Sequence, residues 1–227
     1  MKTIVIVPAY NEAPVIAIVL EGLKRELLKI GDFEIVVVDD GSTDRTFEIA
    51  KISGATTLKH PINRGLGGTL GTGFAYAKRE KADLVVTFDG DGQHDPNDIH
   101  NLIGPIQRRE ADVVIGSRTM RGWGQIPLDR RPVVYLSNLV TKMLFGISTT
   151  DSQSGFRAFS KQAVKKISIK TQEMEVSSEL FAEINRLNLK LVEVPVRVHY
   201  TRYSREKGQT NLNAFSVLLR LLLRLGR

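Results

Sequence analysis

The 227-residue chain contains no cysteine. That excludes a disulfide scaffold, a thiolate metal site and a cysteine nucleophile, and it fits a reducing compartment. Histidine is scarce as well. The only four are His60, His94, His100 and His199, no two of them at H-x-x-x-H spacing, which argues against a histidine-based zinc site. Long apolar runs are also missing. Ile4-Val5-Ile6-Val7-Pro8 is too short for a signal-peptide core, and no small-residue cleavage site follows it. No stretch reaches the roughly 18 uncharged apolar residues that span a bilayer. The expectation is a soluble or peripheral protein, cytoplasmic by default.

What remains is an ordinary globular composition. Hydrophobic residues make up 42% and charged residues 25%, too apolar for disorder, and the length suits one or two domains. The net charge of +7 is unevenly placed: Arg197 to Arg227 hold seven basic residues against one acid, Glu206. A uniformly basic surface would suggest nucleic acid. A basic end instead suggests anionic lipid or phosphate groups, and no nucleic-acid partner is expected. From Leu212 the sequence predicts a helix. Arg220, Arg224 and Arg227 fall on one side of it, and leucine covers most of the rest, as on a membrane-interfacial helix. A terminal helix packed into the core would read the same way.

The first half alternates β-branched runs with helical segments. Thr3–Val7, Glu34–Val38, Ala55–Lys59, Leu84–Phe88 and Asp112–Ile115 are apolar on both faces, as buried parallel strands are. Helices are predicted at Pro14–Lys29, Arg45–Ile52, Leu66–Arg79 and Pro96–Arg108, with Asp95 capping the last and Pro14 opening the first. This pattern predicts an open, mostly parallel α/β sheet with right-handed crossovers. Beyond Arg118, a mobile loop is expected from Met120 to Pro132. Helices are expected near Val133–Phe145 and Ser177–Leu187, with a strand over Leu189–His199 and a polar loop over Tyr200–Asn211. There is no internal repeat. A single domain over residues 1–211 is the simplest organisation.

In such sheets ligands bind at the carboxyl ends of the strands. Three of those ends carry carboxylates: Asn11-Glu12, Asp39-Asp40 and Asp89-Gly90-Asp91. Asp89 and Asp91, two residues apart in a tight turn, repel each other unless a hard divalent cation relieves them, and such a cation completes its shell with substrate phosphates. Turn chemistry alone is the competing explanation. The glycine run from Gly65 to Gly73 lacks the third glycine of a dinucleotide fingerprint and does not follow the first strand. It reads better as a place where backbone comes close to a phosphate or to a packed segment.

The ordered motifs Pro8-Ala9-Tyr10-Asn11-Glu12, Val38-Asp39-Asp40-Gly41-Ser42 and Asp89-Gly90-Asp91-Gly92-Gln93-His94 resemble those of inverting family-two glycosyltransferases with the GT-A fold. Asn63-Arg64-Gly65-Leu66-Gly67, Gly116-Ser117-Arg118 and Ser154-Gly155-Phe156-Arg157 resemble the dolichyl-phosphate mannose synthase branch, whose acceptor is a polyprenyl phosphate. The resemblance implies a nucleotide-sugar half over 1–118 and an acceptor half over 119–211. It implies that Pro8, Tyr10, Glu12 and Asp39 hold the nucleotide, and that Asp89, Asp91 and Gln93 surround Mg2+ or Mn2+ and the diphosphate. Arg118 and Arg131, with Ser137, would bind the acceptor phosphate, Arg130 standing one position from that assignment. Arg202 and Lys207 would belong to a loop that closes over the donor. Glu179 is expected near the sugar, while Glu173 and Glu175 are expected to serve the start of their helix.

The implied reaction is transfer of one hexose to dolichyl or another polyprenyl phosphate at the cytoplasmic membrane face. GDP-mannose is placed first as donor, with UDP-glucose and UDP-N-acetylglucosamine next. Many relatives carry transmembrane helices that this sequence lacks, so a separate membrane-anchoring subunit is a conceivable partner. The Q-x-x-R-W motif of processive synthases is absent, which argues against polymer synthesis. Two other classes compete. A nucleotidyltransferase would need a Gly-rich, arginine-containing loop after the first strand, and a non-catalytic binding subunit would have no need of Asp89, Asp91 and Gln93.

Overall fold

The computed structural model describes residues 1–201, 203 and 204. The expectations for Arg202, Lys207 and the helix from Leu212 lie outside these residues. The first half follows the pattern predicted from its periodicity. Strands β1 (Thr3–Ala9), β2 (Phe33–Asp39), β3 (Thr56–Lys59), β4 (Leu84–Thr87) and β5 (Val113–Ser117) alternate with helices α1 (Ile16–Leu27), α2 (Thr46–Ile52), α3 (Gly65–Arg79) and α4 (Ile99–Gln107). Alternate residues of β1, β2, β4 and β5 feed two cores, whereas the edge strand β3, expected to be apolar on both faces, is only partly buried and sends Leu58 alone to one of them. Val5, Val7, Ile35, Val37, Leu84 and Val86 pack under α1 and α4, while Ile4, Ile6, Val36, Val38 and Val85 pack under α3. Burial on both faces is why these strands read as continuous apolar runs.

After β5 come α5 (Arg131–Phe145), β6 (Arg157–Ser160), α6 (Lys161–Lys166), α7 (Val176–Arg186) and β7 (Leu191–Pro195). The sheet order is β3-β2-β1-β4-β6-β5-β7. All strands run parallel except β6, which pairs antiparallel with both β4 and β5. Residues on both sides of position 118 therefore share one sheet.

Several boundaries differ from expectation for local reasons. The first helix begins at Ile16 rather than Pro14, because residues 12 and 13 are drawn to the β2 loop: Glu12 N–H donates to Thr46 Oγ1 and Ala13 N–H to Asp44 Oδ2. Asp95 does cap, but a 3-10 turn over Pro96–Asp98 precedes α4. In place of a loop from Met120 to Pro132 there are three 3-10 turns, at Thr119–Arg121, Trp123–Gln125 and Leu128–Arg130. The following helix starts at Arg131 with Pro132 inside its first turn, where a missing N–H costs nothing. The last strand ends at Pro195 instead of continuing to His199, because its partner β5 ends at Ser117. Val196 N–H still donates to the Ser117 carbonyl, and the chain then turns to residues 93–95, where Val198 bridges His94.

Candidate active site

The chain reverses its order in the sheet at β1, with β2 on one side and β4 on the other, and ligands of open α/β sheets bind outside the carboxyl ends at such a switch. A cleft of about 390 Å3 opens there, within the size range of small-molecule sites. Pro8, Tyr10 and Glu12 from the end of β1 line it, together with Asp89 and Asp91 from the end of β4. Five sequence-predicted residues thus meet in one cavity.

The antiparallel β6 completes its floor. Thr87 pairs with Arg157. Continuing that register by two residues sets Gly155 opposite Asp89, and Thr87 Oγ1 donates to the Gly155 carbonyl at 2.7 Å. A Cβ at Gly155 would lie 2.2 Å from Asp89 Oδ2, so only glycine leaves the carboxylate where it is. His94 Nε2 sits 3.4 Å from the same oxygen, its ring edge-on to Phe88. Burial acts to raise the Asp89 carboxyl. The His94 bond and the charges of His94, Arg118 and Arg157 outweigh it and hold the group below its ordinary range. The Asp91 carboxyl is pushed up, by burial first and by the Asp89 charge second.

This donor set suits a hard divalent cation. The mutual repulsion felt at Asp91 is what such an ion relieves, and two carboxylates leave most of its shell to phosphate oxygens. Among the described residues no three His, Cys, Asp or Glu side chains form a preformed cage. Gln93 turns onto its neighbour: its backbone N–H donates to Asp91 Oδ1 at 2.9 Å and its side-chain amide to Asp91 Oδ2. It does not line the cleft.

The β1–β2 end of the cleft is built from interlaced loops. Asn11 N–H donates to Ser42 Oγ and Thr43 N–H to Asn11 Oδ1, at 2.9 and 2.8 Å. The Tyr203 hydroxyl lies 2.8 Å from Glu12 Oε2 and 3.0 Å from the Asn11 carbonyl. Burial and the Glu12 carboxylate hold it above the usual tyrosine range. Asp39 is fully buried beneath this rim. Its Oδ1 accepts from Ser42 N–H, while Oδ2 has no hydrogen-bond partner among the described residues. The next residue, Asp40, is the one that reaches the cleft.

The glycine run serves close packing against another segment. A Cβ at Gly67 would fall 2.2 Å from the Thr171 carbonyl, and Gly68 N–H donates to the Gln172 carbonyl at 3.0 Å. That contact brings Glu173, Met174 and Ser177 to the cleft opposite β1. Glu179 is not among its lining residues. Its carboxylate instead accepts from Lys170 N–H, Thr171 N–H and Thr171 Oγ1, and so ties down residues 170–171. Glu175 stands at the start of α7 but makes no side-chain cap bond.

The expected acceptor residues lie beyond Gly155. Arg118 makes a forked pair with the fully buried Asp151, Nε to Oδ2 and Nη2 to Oδ1, both at 2.7 Å. Burial acts to lower its pKa, and the Asp151 carboxylate outweighs that and raises it above the ordinary arginine value. Arg118 Nη1 lies 3.5 Å from the Tyr200 hydroxyl, and the Arg130 guanidinium lies 5.6 Å from the centre of the same ring. Arg131, at the start of α5, donates through Nε to the Ile126 carbonyl at 3.0 Å. Ser137 is buried on the inner side of α5 and does not line the cleft. Sequence reasoning gave no role to Arg157. It is buried, donates to the Ser152 and Ser154 carbonyls, and burial brings it down to about 10. Two bonds from an arginine to the loop carrying Gly155 leave no trace in local spacing.

Residues 4–168 match the family described as Glycosyl transferase family 2. The chain is 36% identical over 241 residues to the UDP-N-acetylglucosamine–dolichyl-phosphate N-acetylglucosaminyltransferase of Methanococcus voltae, covering 96% of this chain and 94% of that protein. It is 28% identical over 223 residues to the undecaprenyl-phosphate mannosyltransferase of Micrococcus luteus, covering 94% and 88%. Among solved structures, glucosyl-3-phosphoglycerate synthase from Mycobacterium tuberculosis, in complex with Mn2+, UDP-glucose and phosphoglyceric acid, aligns at a TM-score of 0.72. Identity there is 25%, over 99% of this chain and 80% of that one.

Proposed function

The chain belongs to glycosyl transferase family 2, and from that premise we propose that it transfers one sugar, with inversion, from a nucleoside diphosphate sugar to a polyprenyl phosphate. The observation that carries this reading is the placing of the Asp89–Asp91 pair in the cleft, with Gly155 beside it on the loop that runs on from the Arg118–Asp151 pair. The carboxylate pair suits a diphosphate with a divalent cation; Arg118, Arg130 and Arg131, which do not line the cleft itself, suit an anionic acceptor.

An acceptor phosphate is already an oxyanion at neutral pH. One of its oxygens attacks the anomeric carbon from the face opposite the leaving group, forming the new oxygen–carbon bond as the bond from that carbon to the donor's β-phosphate oxygen breaks. No strong general base is needed. The chain's task is to hold two anionic groups close together and in line. Arg118, fixed by Asp151, and Arg130 and Arg131 at the start of α5 supply the positive charge that offsets their repulsion. Asp89 and Asp91 would hold Mg2+ or Mn2+, which when bound neutralises the departing diphosphate. Arg202 and Lys207 belong to the same proposal as closing residues over the donor.

A lipid acceptor needs an apolar approach. Met120, Trp123, Leu128, Tyr135, Leu139 and Met143 are all exposed, the last three repeating every four residues along α5 beside Arg130 and Arg131. That surface suits a membrane interface, with the cytoplasmic face as the expectation carried over from sequence. None of the described helices is long and apolar enough to cross a membrane. For the donor, GDP-mannose is the expectation from sequence, and a UDP-sugar stands beside it because the more similar of the two named relatives uses UDP-N-acetylglucosamine. The test is a screen of labelled GDP-mannose, UDP-glucose and UDP-N-acetylglucosamine against short polyprenyl phosphates, with Mg2+ or Mn2+. One donor should yield an organic-soluble product only when metal is present. Formation of nucleotide sugar from a nucleoside triphosphate and a sugar phosphate would overturn the reading in favour of a nucleotidyltransferase.

A further inference from the structure

His60 follows the last residue of β3 and is buried, with 7% of its side chain exposed. Its Nδ1 lies 2.7 Å from Asp40 Oδ1, and its Nε2 lies 2.9 Å from Thr72 Oγ1 on α3. A carboxylate only accepts, so Nδ1 carries the hydrogen of the first bond. The same Asp40 carboxylate accepts from Arg64 N–H at 2.9 Å through Oδ1 and from Gly65 N–H at 2.7 Å through Oδ2. Those two N–H groups stand at the start of α3, whose N-cap residue Arg64 makes no side-chain cap bond; the Gly65 N–H is shared with Asn63 Oδ1 at 3.0 Å. Asp40 and Gly65 both line the donor cleft.

The carboxylate therefore does two things: it caps α3 from a distance, and it forms part of the cleft wall. The two backbone bonds, one to each oxygen, restrain the carboxylate from one side only. A third bond, from a ring itself anchored at its far nitrogen, holds it from the other side as well. Such supporting bonds hold binding groups to the fraction of an ångström that recognition needs.

We propose that His60 is a positioning residue for the nucleotide: held between Asp40 and Thr72, it fixes the Asp40 carboxylate and through it the wall formed by residues 63–65. The inference rests on the cleft being the donor site. Asparagine at position 60 keeps a donor where Nδ1 stands, whereas glutamine keeps one only where Nε2 stands. Each retains one of the two bonds, so a purely structural role predicts that the two variants behave alike.

The experiment titrates uridine diphosphate and guanosine diphosphate, with Mn2+, into the parent, His60→Asn, His60→Gln and Thr72→Val, and records thermal unfolding of each. The parent should bind one of the nucleotides. His60→Asn should stay within about threefold of it, while His60→Gln should bind roughly tenfold more weakly, the size expected for loss of one charge-assisted bond. The two should melt within a degree or two of each other. Thr72→Val should weaken binding about threefold and serves if the His60 variants do not fold. Parent-like affinity in both His60→Gln and Thr72→Val overturns the inference. So does an equal loss in His60→Asn and His60→Gln that follows their melting temperatures. A parent that binds neither nucleotide overturns the donor-site reading itself, and this inference with it.

Discussion

Replacing Gly155 with alanine tests whether Asp89 must stay where it is. The new Cβ would lie 2.2 and 2.3 Å from the two carboxylate oxygens and 2.5 Å from Asp89 Cγ. Unstrained contacts of this kind settle at roughly 3.5 Å, so something has to move by about 1 Å. The backbone at 155 does not have a positive φ, so alanine itself fits there. Gly155 lies opposite Asp89 beside a bonded strand pair, which makes the carboxylate the group able to yield. Such a shift would disturb the 3.4 Å pairing of Asp89 Oδ2 with His94 Nε2. Overpacking of this size costs about 1–3 kcal/mol of stability, and in a domain of this length each kcal/mol lowers the melting temperature by roughly 2–4 °C. The functional cost is expected to be larger, because a displacement of about 1 Å at a reacting centre costs on the order of a hundredfold in rate. Calorimetry with nucleoside diphosphate and Mn2+, turnover with the donor found by screening, and a melting curve together read the effect. A variant that melts a few degrees low but binds and turns over like the parent would refute the role assigned to Asp89.

Removing metal with EDTA, or substituting Asp91→Ala, should abolish measurable nucleoside diphosphate binding in titration calorimetry; equal affinity with and without metal would remove the cation from the account. Arg118→Ala should destabilise the fold by about 3–5 kcal/mol in denaturant titrations, since it leaves the buried Asp151 carboxylate uncompensated. Arg130→Ala and Arg131→Ala should each raise the KM for polyprenyl phosphate roughly tenfold while leaving nucleotide affinity nearly unchanged; the opposite pattern would assign them to the donor. Leu128→Asp, Leu139→Asp and Met143→Asp together should weaken salt-sensitive binding to anionic liposomes. If that variant still binds and a chain ending at Asn211 does not, the membrane-facing surface lies in the C-terminal residues instead.

The parallel strands were legible because burial on both faces leaves an uninterrupted apolar run, and the residues at their ends, Glu12, Asp39, Asp89 and Asp91, could be named from it. Direction within the sheet is not written in such runs. Arg157–Ser160 carries an arginine and a serine, looks like surface, and inserts antiparallel between two buried strands. The short helix α6 is below the length at which periodicity speaks. Partners distant in sequence were equally invisible: Arg118 with Asp151 and Asp40 with Gly65 are matched by topology rather than by spacing. The motif Asp39-Asp40 could be recognised, but which carboxylate faces the cleft depends on the pleat at the end of β2.

The reversed strand also has a consequence for the order in which this molecule assembles. The pairs β1–β2, β2–β3 and β1–β4 form within the first 87 residues of the chain. The floor of the cleft has to wait for β6, which bridges Leu84 to Ser160 and Val113 to Phe159. Closing loops of that length costs conformational entropy before any contact repays it, so such pairings form slowly. Until they do, Asp89 has neither Gly155 across from it nor Arg157 behind it. An emerging chain can thus interlace the β1 and β2 loops early, yet gains Tyr203 on Glu12 and the floor of the cleft only when the second half arrives. Donor added during refolding would then accelerate little, but would trap the final state once formed.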